Sequence, residues 1–128
     1  MVRIEHLAIW VEDLELMKEF YETFFNAKAG KEYYNPNKSF TSYFLNFEEG
    51  CRLELMHRPD IKKREGFNEL IGITHFALAV GSKGKVDKLT ERLRAKDYEI
   101  AGEPRTTGDG YYESIVLDPE GNRIEITV

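Results

Sequence analysis

A chain of 128 residues that writes nearly the same passage twice has few folds open to it. Ile4-Glu5-His6-Leu7-Ala8-Ile9 returns as Ile73-Thr74-His75-Phe76-Ala77-Leu78, 69 residues further on. Glu49-Gly50-Cys51-Arg52-Leu53-Glu54-Leu55 returns as Glu120-Gly121-Asn122-Arg123-Ile124-Glu125-Ile126, an offset of 71 residues. Each copy reads as strand, helix, then three strands. Units of roughly 55–60 residues cannot each bury a sheet face alone, so the two should pair. The expected architecture is α+β: two paired βαβββ modules forming a curved eight-stranded sheet, a barrel-like cup with the helices outside. Module one covers about residues 1–57, a polar connector about 58–71 and module two about 72–128, together one domain.

Periodicity assigns the pieces. Residues 3–11 alternate, with His6, Ala8 and Trp10 on one face and Leu7, Ile9 and Val11 on the other. Asp13 is placed to cap a helix whose apolar stripe is Leu14, Met17, Phe20, Tyr21, Phe24 and Phe25. Strands are expected near 28–34, 40–47 and 51–57. In the second copy Ser82 precedes a helix with Val86, Leu89 and Leu93 on its buried stripe. Strands then follow near 98–105, 111–118 and 122–128, the last two joined by the turn Asp118-Pro119-Glu120-Gly121.

Strand parity turns the repeat into a candidate site. Successive side chains point to opposite faces. Leu53, Leu55, Ile124 and Ile126 therefore share the apolar, helix-facing side, and His6, Glu54, His75 and Glu125 all fall on the other. A lone strand histidine or glutamate is ordinarily a satisfied or solvated residue. Two of the chain's three His and two Glu in duplicated positions argue for a set. Imidazole and carboxylate together suit one borderline divalent ion: nickel, cobalt or zinc first, manganese or iron after them. Two histidines disfavour an all-oxygen calcium site.

Composition closes off other classes. A formal charge of −5 and a pI near 5.3 exclude the basic face that nucleic acid requires. The cluster Lys62-Lys63-Arg64 lies between Asp60 and Glu65 and reads as a solvated connector. No apolar run approaches the roughly 18 residues of a membrane span, and no charged-then-apolar leader precedes the first strand pattern. One cysteine, Cys51, forms no internal disulfide and fits a reducing cytoplasm, the expected location.

The opening Ile-Glu-His strand, Phe20-Tyr21 within the helix, Leu-Glu-Leu at 53–55, Thr-His at 74–75 and the closing run Leu-Asp-Pro-Glu-Gly-Asn-Arg-Ile-Glu-Ile at 117–126 resemble the vicinal oxygen chelate superfamily. This is the glyoxalase, bleomycin resistance and dioxygenase group, and the His-Glu-His-Glu set is similar to that of its glyoxalase I-like members. The resemblance implies a metal-dependent lyase or isomerase that moves a proton between adjacent carbons of a hemithioacetal or related small carbonyl adduct. His6, Glu54, His75 and Glu125 would hold the metal, Glu125 would be the general base, and Glu54 could serve the opposite face of the substrate. A homodimer is implied, because related proteins often complete the site with modules from two chains. The same fold also serves non-catalytic drug-binding resistance proteins and iron-dependent extradiol dioxygenases, the alternative readings.

One departure bears on the substrate. Glyoxalase I sequences commonly carry Arg four residues after the first His, where it helps hold the glutathione carboxylate; here that position is Trp10. An indole cannot pair with a carboxylate as a guanidinium does. Arg3, Arg58 and Arg105 are the candidates to replace it, and Trp10, Tyr111, Tyr112 and Arg105 are the expected substrate-binding residues.

Overall fold

Asp13 opens the first helix as its position in the sequence predicts. Its backbone is extended (φ −111°, ψ 95°), and its side chain accepts the Leu16 N–H at 3.0 Å. The helix, α1 (Leu14–Phe25), buries Met17, Phe20, Tyr21 and Phe24 and ends where Asn26 turns left-handed at φ 54°. The structure is a computed structural model describing residues 1–66 and 69–128. Phe67 and Asn68, within the connector expected at 58–71, lie outside the described residues. The chain divides into two units, Met1–Glu65 and Gly66–Val128.

In the first unit β1 (His6–Trp10) precedes α1, and β2 (Lys28–Ala29), β3 (Tyr33–Asn35), β4 (Phe40–Asn46) and β5 (Arg52–His57) follow it. The sheet order is β1-β5-β4-β2, with β3 also paired to β4. β1 runs parallel to β5, and the other pairings are antiparallel. The strand expected over 28–34 is two short ones. Ala29 pairs with Leu45 and Tyr33 with Ser42, so four steps on one side meet three on the other. That extra residue is a bulge.

The bulge releases Glu32 toward a buried phenol. Tyr43 Oη lies 2.6 Å from Glu15 Oε1 and 2.9 Å from Glu32 Oε2, its one proton shared between two carboxylates. Lys18 Nζ stands 2.9 Å from Glu15 and 4.6 Å from the Tyr43 ring centroid. The Glu15 hydrogen bond, then burial, push the Tyr43 phenol well above its ordinary range. The hydrogen bond from Tyr43, then that from Lys18, hold Glu15 below the usual carboxylate value.

A raised phenol stabilises the fold fully below the unfolded value near 10 and loses that contribution as pH climbs beyond it. Glu15 acts in the opposite direction, its contribution fading as pH falls below about 4.5. Tyr43→Phe should therefore lower the unfolding free energy at pH 7 by about 2 kcal/mol, the worth of a hydrogen bond to a charged group. It should also flatten the alkaline limb between pH 9 and 11. Urea titrations of both proteins across that range measure it, and parallel alkaline limbs would refute the assignment.

The second unit repeats the plan with β6 (His75–Ala79), α2 (Lys83–Ala95), β7 (Ile100–Thr106), β8 (Tyr112–Leu117) and β9 (Arg123–Thr127), in the sheet order β6-β9-β8-β7. β6 is parallel to β9, as β1 is to β5. Ser82 caps α2 by accepting the Lys85 N–H at 3.2 Å. Between β8 and β9, Asp118 Oδ1 accepts the N–H groups of Glu120 and Asn122 at 3.0 and 2.9 Å. The turn needs a left-handed residue, which Gly121 supplies at φ 87°.

The architecture is α+β, two sheets with two helices, and neither sheet closes into a barrel. Leu53 and Leu55 in one unit, and Ile124 and Ile126 in the other, are buried on the helix-facing side. Among the described residues no helix is long and apolar enough to cross a membrane.

Candidate metal centre

The same ladder geometry produces the same pair of donors in both units. Parallel register sets Ala8 beside Glu54 and Ala77 beside Glu125. The histidine two residues before each alanine therefore meets the glutamate diagonally on the open face of its sheet. His6 Nε2 is 3.7 Å from Glu54 Oε1, and His75 Nε2 is 2.7 Å from Glu125 Oε1. The carboxylates are recessed, with side chains 14% and 18% exposed, while the imidazoles stand at 38% and 40%. A small alanine beneath each pair leaves the donors room to converge.

The two histidines are supported differently. His6 Nδ1 is hydrogen-bonded to Glu5 Oε2, and Arg52 grips the other Glu5 oxygen through Nε at 2.8 Å and Nη2 at 2.5 Å. The Arg52 guanidinium lies 4.0 Å from the Phe44 ring centroid, and Phe44 meets the His6 ring edge-on at 5.2 Å. A proton on Nδ1 leaves the Nε2 lone pair facing outward, the usual device for fixing a metal-binding tautomer. Contact with His6 and Arg52 holds the Glu5 carboxyl below its ordinary range. In the second unit Arg123 occupies the position of Arg52 and pairs with Glu69 at 2.5 Å, but the residue before His75 is Thr74.

Glu113 escapes a reading built on the duplicated quartet. It stands on β8 and is 8% exposed. Ile115, two residues along, pairs with Glu125, so Glu113 and Glu125 share a face and sit diagonally. The Glu113–Glu125 hydrogen bond, then burial, raise the Glu113 carboxyl above its usual value, and Arg105 offsets part of the rise. Alternation in β8 offered the signal, since 113 and 115 must face the same way as 125.

The remaining candidates divide. Trp10 shares the His6 face, is 41% exposed, and packs edge-on against Phe40. Arg105 pairs with Glu113 across β7 and β8 and directs Nη1 at the Glu113 carbonyl oxygen from 3.4 Å, which places it on the Glu125 side. Tyr111 is exposed in the turn before β8, tied by its N–H to Thr107 Oγ1 at 3.1 Å. Tyr112 is a correction to the expected substrate-binding set. Its hydroxyl donates to Asp87 of α2 at 2.6 Å, on the helix side away from Glu125. Neighbouring strand residues point to opposite faces, so Tyr112 cannot join Glu113. Outside the quartet, His57 Nδ1–H donates to the Val11 carbonyl at 2.9 Å and splices β5 to the end of β1. Cys51 is half-buried just before β5.

In each unit an imidazole nitrogen turned toward a carboxylate makes a mixed nitrogen and oxygen donor pair, the chemistry that suits a divalent ion of borderline softness. Among the described residues, no three His, Cys, Asp or Glu side chains gather into a cage that could hold a metal ion. Each unit presents one His–Glu pair.

Residues 3–126 match the profile of the Glyoxalase/Bleomycin resistance protein/Dioxygenase superfamily, and the chain belongs to that superfamily. Among curated relatives it is 26% identical over 132 residues to the uncharacterized protein YqjT of Bacillus subtilis (strain 168), covering 96% of each chain. Among solved structures it is similar to a glyoxalase I mutant of Zea mays (27% identity, TM-score 0.79). That match covers 98% of this chain but only 44% of the maize chain. It is similar also to the trypanothione-dependent glyoxalase I of Leishmania major, at 25% identity and TM-score 0.79 over 99% of this chain and 86% of that one.

Proposed function

We propose that this protein is a metal-dependent, glyoxalase I-like lyase or isomerase acting on a hemithioacetal or a related small carbonyl adduct. His6, Glu54, His75 and Glu125 would be the ligands of one divalent ion, with nickel, cobalt or zinc favoured by the mixed nitrogen and oxygen donors. The observation that carries the reading is the duplicated diagonal of His beside Glu, made on the same face by the same parallel register in both units. An ion held by these residues would supply positive charge to substrate oxygens.

Glu125 is the general base: its carboxylate takes a proton from one substrate carbon and returns it to the neighbour. The hydrogen bond to Glu113 supports the role by limiting which way that carboxylate can swing. Glu54, recessed beside His6, serves the opposite face. The active species is taken to be a cytoplasmic homodimer, as in related proteins that complete their sites with two chains.

The test is isomerase turnover on nickel- and zinc-loaded protein with methylglyoxal hemithioacetals of glutathione and of smaller thiols. Metal-dependent turnover supports the proposal. Stoichiometric metal without turnover on any adduct would refute it and leave a metal-binding, non-catalytic member of the superfamily.

The support given to His6 yields a separate expectation. Glu5→Gln should weaken zinc or nickel binding by about 10–100-fold, the ordinary cost of losing an outer-shell carboxylate behind a metal-binding histidine. Competition with a chromogenic chelator measures it directly. An unchanged affinity would mean that Glu5 serves only the Arg52 ion pair.

A further inference from the structure

The open face of the first sheet continues beyond the His6–Glu54 pair into an aromatic wall. Register sets its residues out in rows. Ala8, Glu54 and Phe44 form one row, and Trp10, Met56, Ser42 and Tyr33 form the next. Adjacent same-face rows lie about 7 Å apart, two residues of strand.

In the second row Trp10 and Tyr33 stand 41% and 55% exposed. Phe40 lies between them, its ring centroid 6.1 Å from each. Arg58 lays its guanidinium 5.1 Å from the Trp10 ring centroid. Asp60 holds that guanidinium by two hydrogen bonds, of 2.9 and 3.0 Å. That cation is thus already answered by a carboxylate, and what Trp10, Phe40 and Tyr33 offer beside it is aromatic surface. Exposed large rings are costly to leave in water and gain most from a flat partner.

We infer that Trp10, Phe40, Tyr33 and Arg58 form a specificity subsite that takes a flat, uncharged ring carried on the thiol portion of the substrate. The inference rests on the reading above for the reaction, and it names the substrate class of that same site. Reacting atoms held at the Glu54 row would place a ring, joined through one or two atoms to the thiol sulfur, at the Trp10 row. A peptide thiol with carboxylates on its arms would have to compete with Asp60 for the guanidinium that lies on Trp10.

Trp10 is the chain's single tryptophan, so its emission reports the subsite without any need for turnover. The probes are (benzylsulfanyl)acetate and (methylsulfanyl)acetate, stable thioethers that differ only in the ring, titrated into the nickel-loaded protein. The benzyl compound should quench Trp10 and bind about tenfold tighter than the methyl one. In Tyr33→Ala that ratio should fall toward one.

Equal affinities, a ratio untouched by Tyr33→Ala, or an emission that neither probe moves because a second copy of the chain covers the wall would each overturn the subsite. The two proposals fail separately. A benzyl preference without turnover on any adduct removes the reaction and keeps the subsite, while turnover with no ring preference does the reverse.

Discussion

Glu125→Gln should lower kcat by about 10²–10⁴-fold, the range that a positioned general base contributes. The amide keeps the shape of the carboxylate and one oxygen donor, so metal stoichiometry should hold while proton transfer fails. Of the two carboxylates, Glu125 is singled out because it carries the hydrogen bond to buried Glu113, and its imidazole neighbour is nearer, at 2.7 Å against 3.7 Å for Glu54. Steady-state rates on the metal-loaded variant, with metal content measured on the same sample, make the comparison. Turnover within a few-fold of the parent would remove Glu125 as the base.

Loss of an imidazole should be felt at the metal instead. His75→Ala removes a donor outright and should weaken zinc or nickel binding by more than about 100-fold, beyond what an outer-shell change costs. His57→Ala is the control, because His57 hydrogen-bonds the Val11 carbonyl and does not belong to the quartet. It should lower thermal stability while leaving the metal affinity in place. Equilibrium dialysis against a metal buffer separates the two variants. Equal affinity in both would take His75 out of the ligand set.

Much of the fold is legible in the amino-acid sequence, for a physical reason. Periods of two and 3.6 residues read strands and helix stripes directly, so alternation alone assigns Leu53, Leu55, Ile124 and Ile126 to the side on which they are buried. The internal repeat adds that the two units should share one pairing scheme, as the parallel β1–β5 and β6–β9 ladders do.

Features that depend on neighbours distant in sequence are hidden. No local signal marks the bulge between β2 and β3, because the extra residue is defined only against β4. The hydrogen bond between Glu113 and Glu125 joins two strands and shows only once their register is known. Tyr112 is different, since its placement follows from local pattern. Tyr112 and Glu113 are consecutive on β8, and a strand cannot turn both toward one face.

A duplicated scaffold begins as two interchangeable halves, and one residue next to each histidine ends the equivalence. Glu5 stands behind His6, itself gripped by Arg52, whereas Thr74 precedes His75. The first copy thus braces its histidine from behind, and the second copy has a threonine at that position. Under the proposed reaction, divergence after duplication would have divided the labour, the first half anchoring the ion and the second supplying the base, with no change to the fold that carries them.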